Sequence, residues 1–373
     1  MIYLDNAATT CPSAVALARA ETFLKENFYN PSARYRGGDA VARELRLARE
    51  RIVSCVADPA AFEAVFTSCG TEADNHAVFS CAKRGNAVTS AGEHAAVHQS
   101  FVELKNRGVE PRFAPVTRSG TVNEEALLSL VDEKTSLVSV VHVNNETGAV
   151  NDIARLARLV KEKNPRAVFH SDGVQAFGKI SVRLNDHVDF YSVSAHKIGG
   201  LKGTGALIKR KKTTLQPFVF GGGQEGGLRS GTENTFGIAC FRFAAEEKIE
   251  NLKQTCSRLA GFRELLWGRL DRSLYTRLSP EDGSPYILTV SAVGLRGEVL
   301  QRMLWDSGVV IGTGSACSSK KPHSRVLEAC GWDGKTLDGV LRASFSSETT
   351  EEEILRAAEL MNRAACNLKE TTG

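Results

Sequence analysis

The chain of 373 residues contains no long hydrophobic run. No stretch approaches the roughly 18 consecutive apolar residues that a membrane-spanning helix needs, so that architecture is not expected. The start, Met1-Ile2-Tyr3-Leu4-Asp5, has neither the basic nor the apolar region of a secretory signal, and a cytoplasmic protein is expected. Excess charge is also small. There are 47 Lys+Arg against 43 Asp+Glu, a net charge of +4, too mild to argue for direct nucleic-acid binding. The densest basic run, Lys209-Arg210-Lys211-Lys212, reads as a solvated hairpin tip. Nine cysteines are present, and no two form a C-x-x-C pair. That argues against a disulfide framework and against a cysteine-rich zinc site, and for a reducing compartment. Internal repeats and low-complexity segments are missing as well.

The composition, 42% hydrophobic and 24% charged, suits a globular protein with one large and one smaller domain. Short apolar runs alternate with amphipathic helical patterns. Ala40–Ala57 reads as a helix with Val41, Leu45, Ala48, Ile52 and Val56 on one face. Strands are predicted at Glu63–Thr67, from Val88, at Ser136–Val143, Ala167–His170, Val188–Val193 and Gly205–Ile208, with helices after Gly70 and from about Ala95 and Asp152. This alternation predicts an α/β fold with a mostly parallel central sheet. From about residue 235 the pattern changes. A long helix over Phe236–Leu270 is expected, then strands at Tyr286–Val290, Val309–Ile311 and Leu341–Phe345, a helix at Gly297–Asp306 and a last helix from Thr350. The expected division is a segment 1–12 belonging to a small domain, a large domain 13–250, and a small α+β domain 251–373.

In parallel sheets ligands collect at the C-terminal ends of strands. Four polar clusters directly follow predicted strands: Gly70-Thr71, Asn144-Asn145-Glu146, Asp172-Gly173-Val174-Gln175 and Ser194-Ala195-His196-Lys197. Gly70-Thr71-Glu72 opens a helix, and reads either as an ordinary cap or as a phosphate site. Asp172 is either an exposed turn residue or a carboxylate paired with a cationic ring nitrogen. Lys197 is either part of a basic loop or an amine held for chemistry. His94 and His98, four apart, could share one helix face as a zinc pair; the better functional alternative sets His94 flat against an aromatic ring, and no metal is expected. Gly221–Gly227 and Arg229–Asn234 form a permissive loop that carries Thr232. Cys317 lies in the small-residue loop Thr313-Gly314-Ser315-Ala316-Cys317-Ser318-Ser319, where Lys320, Lys321 and His323 would favour its thiolate. A lysine amine and a buried carboxylate are what pyridoxal phosphate requires.

With these motifs the chain resembles the cysteine desulfurases, class-V pyridoxal-phosphate aminotransferase-like enzymes. The resemblance runs nearly end to end, through Tyr3–Thr10, Asn30-Pro31-Ser32, Thr67–Asn75, His142–Gly148, His170–Lys179, Ser194–Lys197, Gly221–Asn234, Gly314–Ser319 and Leu341–Phe345. It implies the fold-type-I architecture, with 13–250 as the pyridoxal-phosphate domain. It implies a homodimer, and conversion of L-cysteine to L-alanine with sulfur captured as a persulfide. Lys197 would carry the Schiff base, Asp172 the ring nitrogen and Gln175 the ring hydroxyl oxygen. His94 would stack on the ring. Gly70, Thr71, Ser194 and His196 would hold the phosphate, with Thr232 reaching it from a partner subunit. Asn145 would lie near the ring and substrate, Arg342 would clamp the substrate carboxylate, and Cys317 would accept the sulfur. The sulfur would pass to an acceptor protein, either an iron–sulfur scaffold or a tRNA-thiolation enzyme. The same scaffold serves selenocysteine lyases and amino-acid transaminases, and a non-enzymatic sulfur-relay or metal-binding role is the other rival. Two departures stand out: Cys69 replaces the family's usual glycine, and the segment from Cys317 to Val326 is slightly short.

Overall fold

The structure, a computed structural model, describes residues 1–313 and 323–372. Cys317, Lys320 and Lys321 lie outside the described residues. In chain order the elements are β1 (Ile2–Leu4), α1 (Ala14–Glu26), α2 (Arg36–Ser54), β2 (Phe62–Thr67), α3 (Gly70–Cys81), β3 (Asn86–Ser90), α4 (Ala95–Asn106), β4 (Glu110–Ala114), α5 (Glu124–Leu130), β5 (Thr135–Ser139), α6 (Ile153–Lys163), β6 (Val168–Asp172), β7 (Phe190–Ser194) and β8 (Gly205–Arg210). Then come α7 (Thr235–Glu250), α8 (Leu252–Arg269), β9 (Tyr275–Arg277), β10 (Ile287–Ala292), α9 (Gly297–Asp306), β11 (Val309–Thr313), α10 (Arg325–Ala329), α11 (Gly334–Asp338), β12 (Val340–Ser344) and α12 (Glu351–Thr372).

Seven strands form the larger sheet in the order β2-β8-β7-β6-β5-β3-β4. The pairs from β7 to β4 are parallel, and β8 runs antiparallel to both neighbours. The strands are bracketed by helices, and β5, β6 and β7 are buried along nearly their whole length because both faces are covered, their serines included. The helix α2 shows the cause at the level of spacing: Val41, Leu45, Ala48 and Ile52 recur every three to four residues and all are buried. With strand residues such as Phe62, Phe66, Phe169 and Tyr191 they make one core.

A second sheet, β1-β11-β12-β10-β9, has its own core, which includes Leu4, Leu288, Leu341 and Met361. The strand β1 pairs in parallel with β11, Ile2 opposite Val309, so the N-terminal segment packs away from its sequence neighbours, as expected.

Three expectations need correction. The helix expected over Phe236–Leu270 is two helices, because Asn251 leaves the helical conformation (φ −108°, ψ 11°). The strand expected over Ser136–Val143 ends at Ser139; Val140–Val143 stays buried, and Val140 N and His142 N still donate to the His170 and Asp172 carbonyls of β6. Lys209 is not part of a solvated tip. It lies inside β8, 6% exposed, 2.8 Å from Glu63 across the β2 pairing.

All of β2, β5, β6 and β7 end at the same edge of the large sheet. Thr67 and Ser194 both stand opposite Gly205, the first residue of β8. A Cβ on Gly205 would lie 2.7 Å from the Cys69 carbonyl carbon and 2.8 Å from the Val193 oxygen, so only glycine lets β8 start between these two strand ends.

Candidate active site

Lys197 sits on a single 3₁₀ turn, Ala195–Lys197, placed directly after β7. Its Nζ donates to the carbonyls of Ala7 (2.8 Å) and Ala8 (2.7 Å). The segment after β1 is stapled to the same turn. Thr10 donates through N (2.9 Å) and Oγ1 (2.8 Å) to the His196 carbonyl, and Thr10 Oγ1 accepts from Gly199 N. His196 Nδ1 lies 3.1 Å from Thr9 Oγ1. The His196 imidazole is pushed down to about 4 by burial and by the Lys197 cation, so it is neutral at pH 7.

Asp172 is the last residue of β6, buried, and accepts from Val174 N at 2.9 Å. It is not an exposed turn residue. His94 caps α4: its Nδ1 accepts from Ala96 N at 3.2 Å. It therefore precedes the helix and does not share a helical face with His98, whose ring lies against Phe113 at 5.1 Å. His94, Asp172 and the α3 residue Asp74 each place one polar atom within 4.8 Å of the others. Burial raises the Asp172 carboxyl, opposed by His94, the Val174 N–H and Lys197. The His94 imidazole is held down by its burial.

Gln175 is buried; its Nε2 donates to the Ala7 carbonyl and its Oε1 accepts from Lys179 Nζ, both at 2.8 Å. Arg342, on β12, donates to Asp5 Oδ1 (2.7 Å) and to the carbonyl of Asn145 (3.0 Å), while its buried Nε has no partner among the described residues. Thr232 is exposed at the end of a loop anchored elsewhere, by Arg229 on Glu72 (2.8 Å) and by Glu225 on Arg49 (2.7 Å). Lys197, Asp172, His94, Gln175, His196 and Ser194 thus gather at one sheet edge, and Arg342 and Asn145 meet each other between the two sheets. Cys317 lies outside the described residues.

A family model described as aminotransferase class-V matches residues 2–356. Among curated relatives, "Cysteine desulfurase IscS" of Clostridium botulinum is 37% identical over 376 residues, covering 96% of this chain and 93% of the relative. "Cysteine desulfurase" of Bradyrhizobium diazoefficiens is 34% identical, covering 99% and 97%. Among solved structures, a "NIFS-like protein" superposes with a TM-score of 0.92 at 33% identity, over 98% of this chain and 100% of that one. DndA from Streptomyces lividans gives 0.75 at 29% identity, over 90% and 97%.

The chain belongs to the cysteine desulfurases of the class-V aminotransferase family. The enzyme therefore depends on pyridoxal phosphate, and its own residues fit that group. The helix α3 starts at Gly70 with no side-chain cap from Cys69. Beside it Ser194 Oγ is buried with no partner among the described residues. A Cβ on Gly70 would stand 3.6 Å from Ser194 Cβ and 2.7 Å from Val174 Cγ2, so the open space there depends on glycine. Exposed helix N–H groups and an orphan hydroxyl suit a phosphate. At the other end, a buried carboxylate suits a protonated ring nitrogen.

Several residues of this enzyme's site escaped the sequence reading. Asp74 is buried behind Asp172, and His170 bridges Ser139 and Ser192 at 2.8 and 2.9 Å. Glu93 is fully buried, accepting from Ser90 Oγ and Val141 N. The matched motifs contain Asp74 and His170 but not Glu93, and a polar residue looks the same in sequence whether it is buried or solvated.

Proposed function

We propose that the chain converts L-cysteine to L-alanine with transfer of the sulfur atom to Cys317, and that the residues gathered at the sheet edge divide this work. The observation that carries the reading is the convergence on one strand-end edge of an amine (Lys197), a buried carboxylate (Asp172) and an imidazole (His94), next to an uncapped helix start with an orphan hydroxyl.

Bound pyridoxal phosphate supplies an electron sink for the carbanion at the substrate Cα. Lys197 would anchor the group, and its amine would serve as the base for the Cα proton. Asp172 would hold the positive ring nitrogen and His94 would pack against the ring. Ser194, His196, Gly70 and Thr71 would hold the phosphate, and Gln175 would donate to the ring oxygen. Arg342, backed by Asp5 and the Asn145 carbonyl, binds the substrate carboxylate. The Cys317 thiolate attacks the substrate sulfur; the C–S bond breaks, the carbon side takes the proton, and the products are L-alanine and a Cys317 persulfide.

The reading extends to assembly. Thr232 completes the phosphate site of a second copy of the chain. The division runs at 251, where the helices α7 and α8 part, with residues 1–12 joined to the C-terminal unit. The persulfide passes to a cytoplasmic acceptor protein, an iron–sulfur scaffold or a tRNA-thiolation enzyme.

The test is the visible spectrum of the purified protein before and after L-cysteine, with alanine and persulfide assayed in parallel. Cys317→Ser is expected to keep the substrate-induced spectral change and lose both products. Normal alanine production by that variant would remove Cys317 from the reaction.

A further inference from the structure

Lys179 lies outside every role so far assigned. It is 4% exposed, deep behind the site, where a lysine is rarely found without a purpose. Its Nζ donates to Gln175 Oε1 at 2.8 Å and lies 5.7 Å from the centroid of the Tyr286 ring. The cations facing it are Lys197 from the turn after β7, Arg342 from β12 and Lys248 from α7. On the far side of Lys197 stand Asp172 and His94.

The chemistry of the contact fixes an orientation. Burial and the Lys197, Arg342 and Lys248 cations push the Lys179 amine well below the ordinary lysine range, and it donates an N–H to the amide oxygen of Gln175. The other end of the amide meets the Ala7 carbonyl, which only accepts, so that atom must be Nε2. Turning the amide over would set N–H against N–H at one end and oxygen against oxygen at the other, both in a buried place. The same Ala7 carbonyl accepts from Lys197 Nζ at 2.8 Å, so the fixed amide N–H groups sit beside the cofactor-bearing amine.

We infer that Lys179 is a positioning residue: it locks the Gln175 amide with its donor end toward Lys197, so that the site always offers a hydrogen bond to an oxygen anion of the cofactor ring. The inference rests on the reading of Lys197 and Gln175 given above. A fixed N–H donor on a ring oxyanion disfavours protonation of the neighbouring lysine–cofactor nitrogen. Without Lys179 only the Ala7 carbonyl holds the amide, and its donor end is fixed less firmly.

The experiment is a pH titration of the visible band of the holoenzyme, unmodified and as Lys179→Met, with cofactor release measured by dialysis. Lys179→Met is expected to raise the midpoint by roughly one pH unit. Because Lys179 acts through Gln175, the same change made in a Gln175→Leu background is expected to add little. A midpoint unmoved in Lys179→Met overturns the inference, and so does a shift that survives in full in the Gln175→Leu background, since Lys179 would then act directly. Lys179→Gln, which can accept as well as donate, carries the same two outcomes if the methionine variant does not fold. A borohydride-fixed band that persists in Lys197→Ala would instead overturn the site reading, and this inference with it.

Discussion

Asp74 and Asp172 bring carboxylate oxygens within 4.8 Å of each other in the buried floor of the site. Two like charges so close in a dry place cannot both ionise freely. The two are not equivalent. Asp172 faces His94, Lys197 and the Val174 N–H, all of which favour its anion. Asp74 faces Asp172 and Glu93, and burial drives its carboxyl far above the ordinary 3.8, with only Ser192 helping its anion. The shared proton therefore resides on Asp74, leaving Asp172 as the anion that is proposed to meet the ring nitrogen.

The variants separate them. Asp172→Asn removes the charge proposed to meet the ring nitrogen, and turnover is expected to fall by a hundredfold or more in a single-turnover alanine assay. Asp74→Asn copies the neutral form already present, and turnover is expected to stay within about threefold. The sign for stability follows from linkage. The Asp74 carboxyl is raised in the folded chain, so its neutral form fits below about pH 3.8 and stability is lost as pH rises toward its folded value. Thermal melts of the apoprotein from pH 4 to 8 should show Asp74→Asn gaining on the unmodified chain as pH rises. A constant difference would contradict the assignment.

Ser194 tests the phosphate cradle from the opposite direction. Its Oγ is buried and unpartnered in the chain alone. Removing an unsatisfied hydroxyl should leave the apoprotein as stable or slightly more so. Against a charged phosphate the same hydroxyl contributes about 1.5–3 kcal/mol. Ser194→Ala is expected to weaken cofactor binding about tenfold or more in equilibrium titration without lowering the apo melting temperature. A melting temperature that falls with unchanged cofactor affinity would make Ser194 structural.

Glu93 provides a pH readout outside the chemistry. Its carboxyl is pushed up to about 8 by burial, despite the Ser90 hydroxyl and the Val141 N–H. It is largely neutral at pH 6 and half ionised near pH 8, and among the described residues its Oε2 has no partner to receive that charge. Stability from the neutral form is complete below about 4.5 and is lost as pH climbs to about 8. Denaturant unfolding at pH 5 and pH 8.5 should show Glu93→Gln nearly neutral at the first and stabilising at the second, by on the order of 1–3 kcal/mol. Equal effects at both values would show that Glu93 does not ionise in this range.

The parts legible in the sequence were those written in local pattern. The helix α2 follows its apolar spacing, and the strand-end clusters at Asp172 and Ser194–Lys197 follow from short apolar runs that stop at polar residues. The edge strand β4 escaped notice because Glu110-Pro111-Arg112-Phe113-Ala114 is polar and carries a proline, which a sheet edge tolerates. The break at Asn251 was hidden because helical periodicity continues on both sides of it. Lys179 and Asp74 could not be picked out by spacing, since their burial is decided by elements far away: Tyr286 for the first, Asp172 and Ser192 for the second.

The substrate clamp gives the last prediction. Arg342 is 8% exposed and is aimed by two acceptors, Asp5 Oδ1 and the Asn145 carbonyl. Between β1 and β12 the guanidinium is packed so closely that a Cβ on Gly312 would stand 3.0 Å from Nη2. A planar fork held this way can meet a carboxylate with two parallel N–H groups, and an ammonium cannot. Arg342→Lys is therefore expected to raise KM for L-cysteine about tenfold or more, with a smaller change in kcat. Asp5→Asn keeps an oxygen acceptor for Nη2 but removes a negative charge from beside the clamp. The less compensated guanidinium should attract the substrate carboxylate at least as well, so KM is expected to stay level or fall. Steady-state kinetics of the two variants decide the matter: a KM raised tenfold by Asp5→Asn would mean that the carboxylate's charge, not its geometry, holds Arg342 in place.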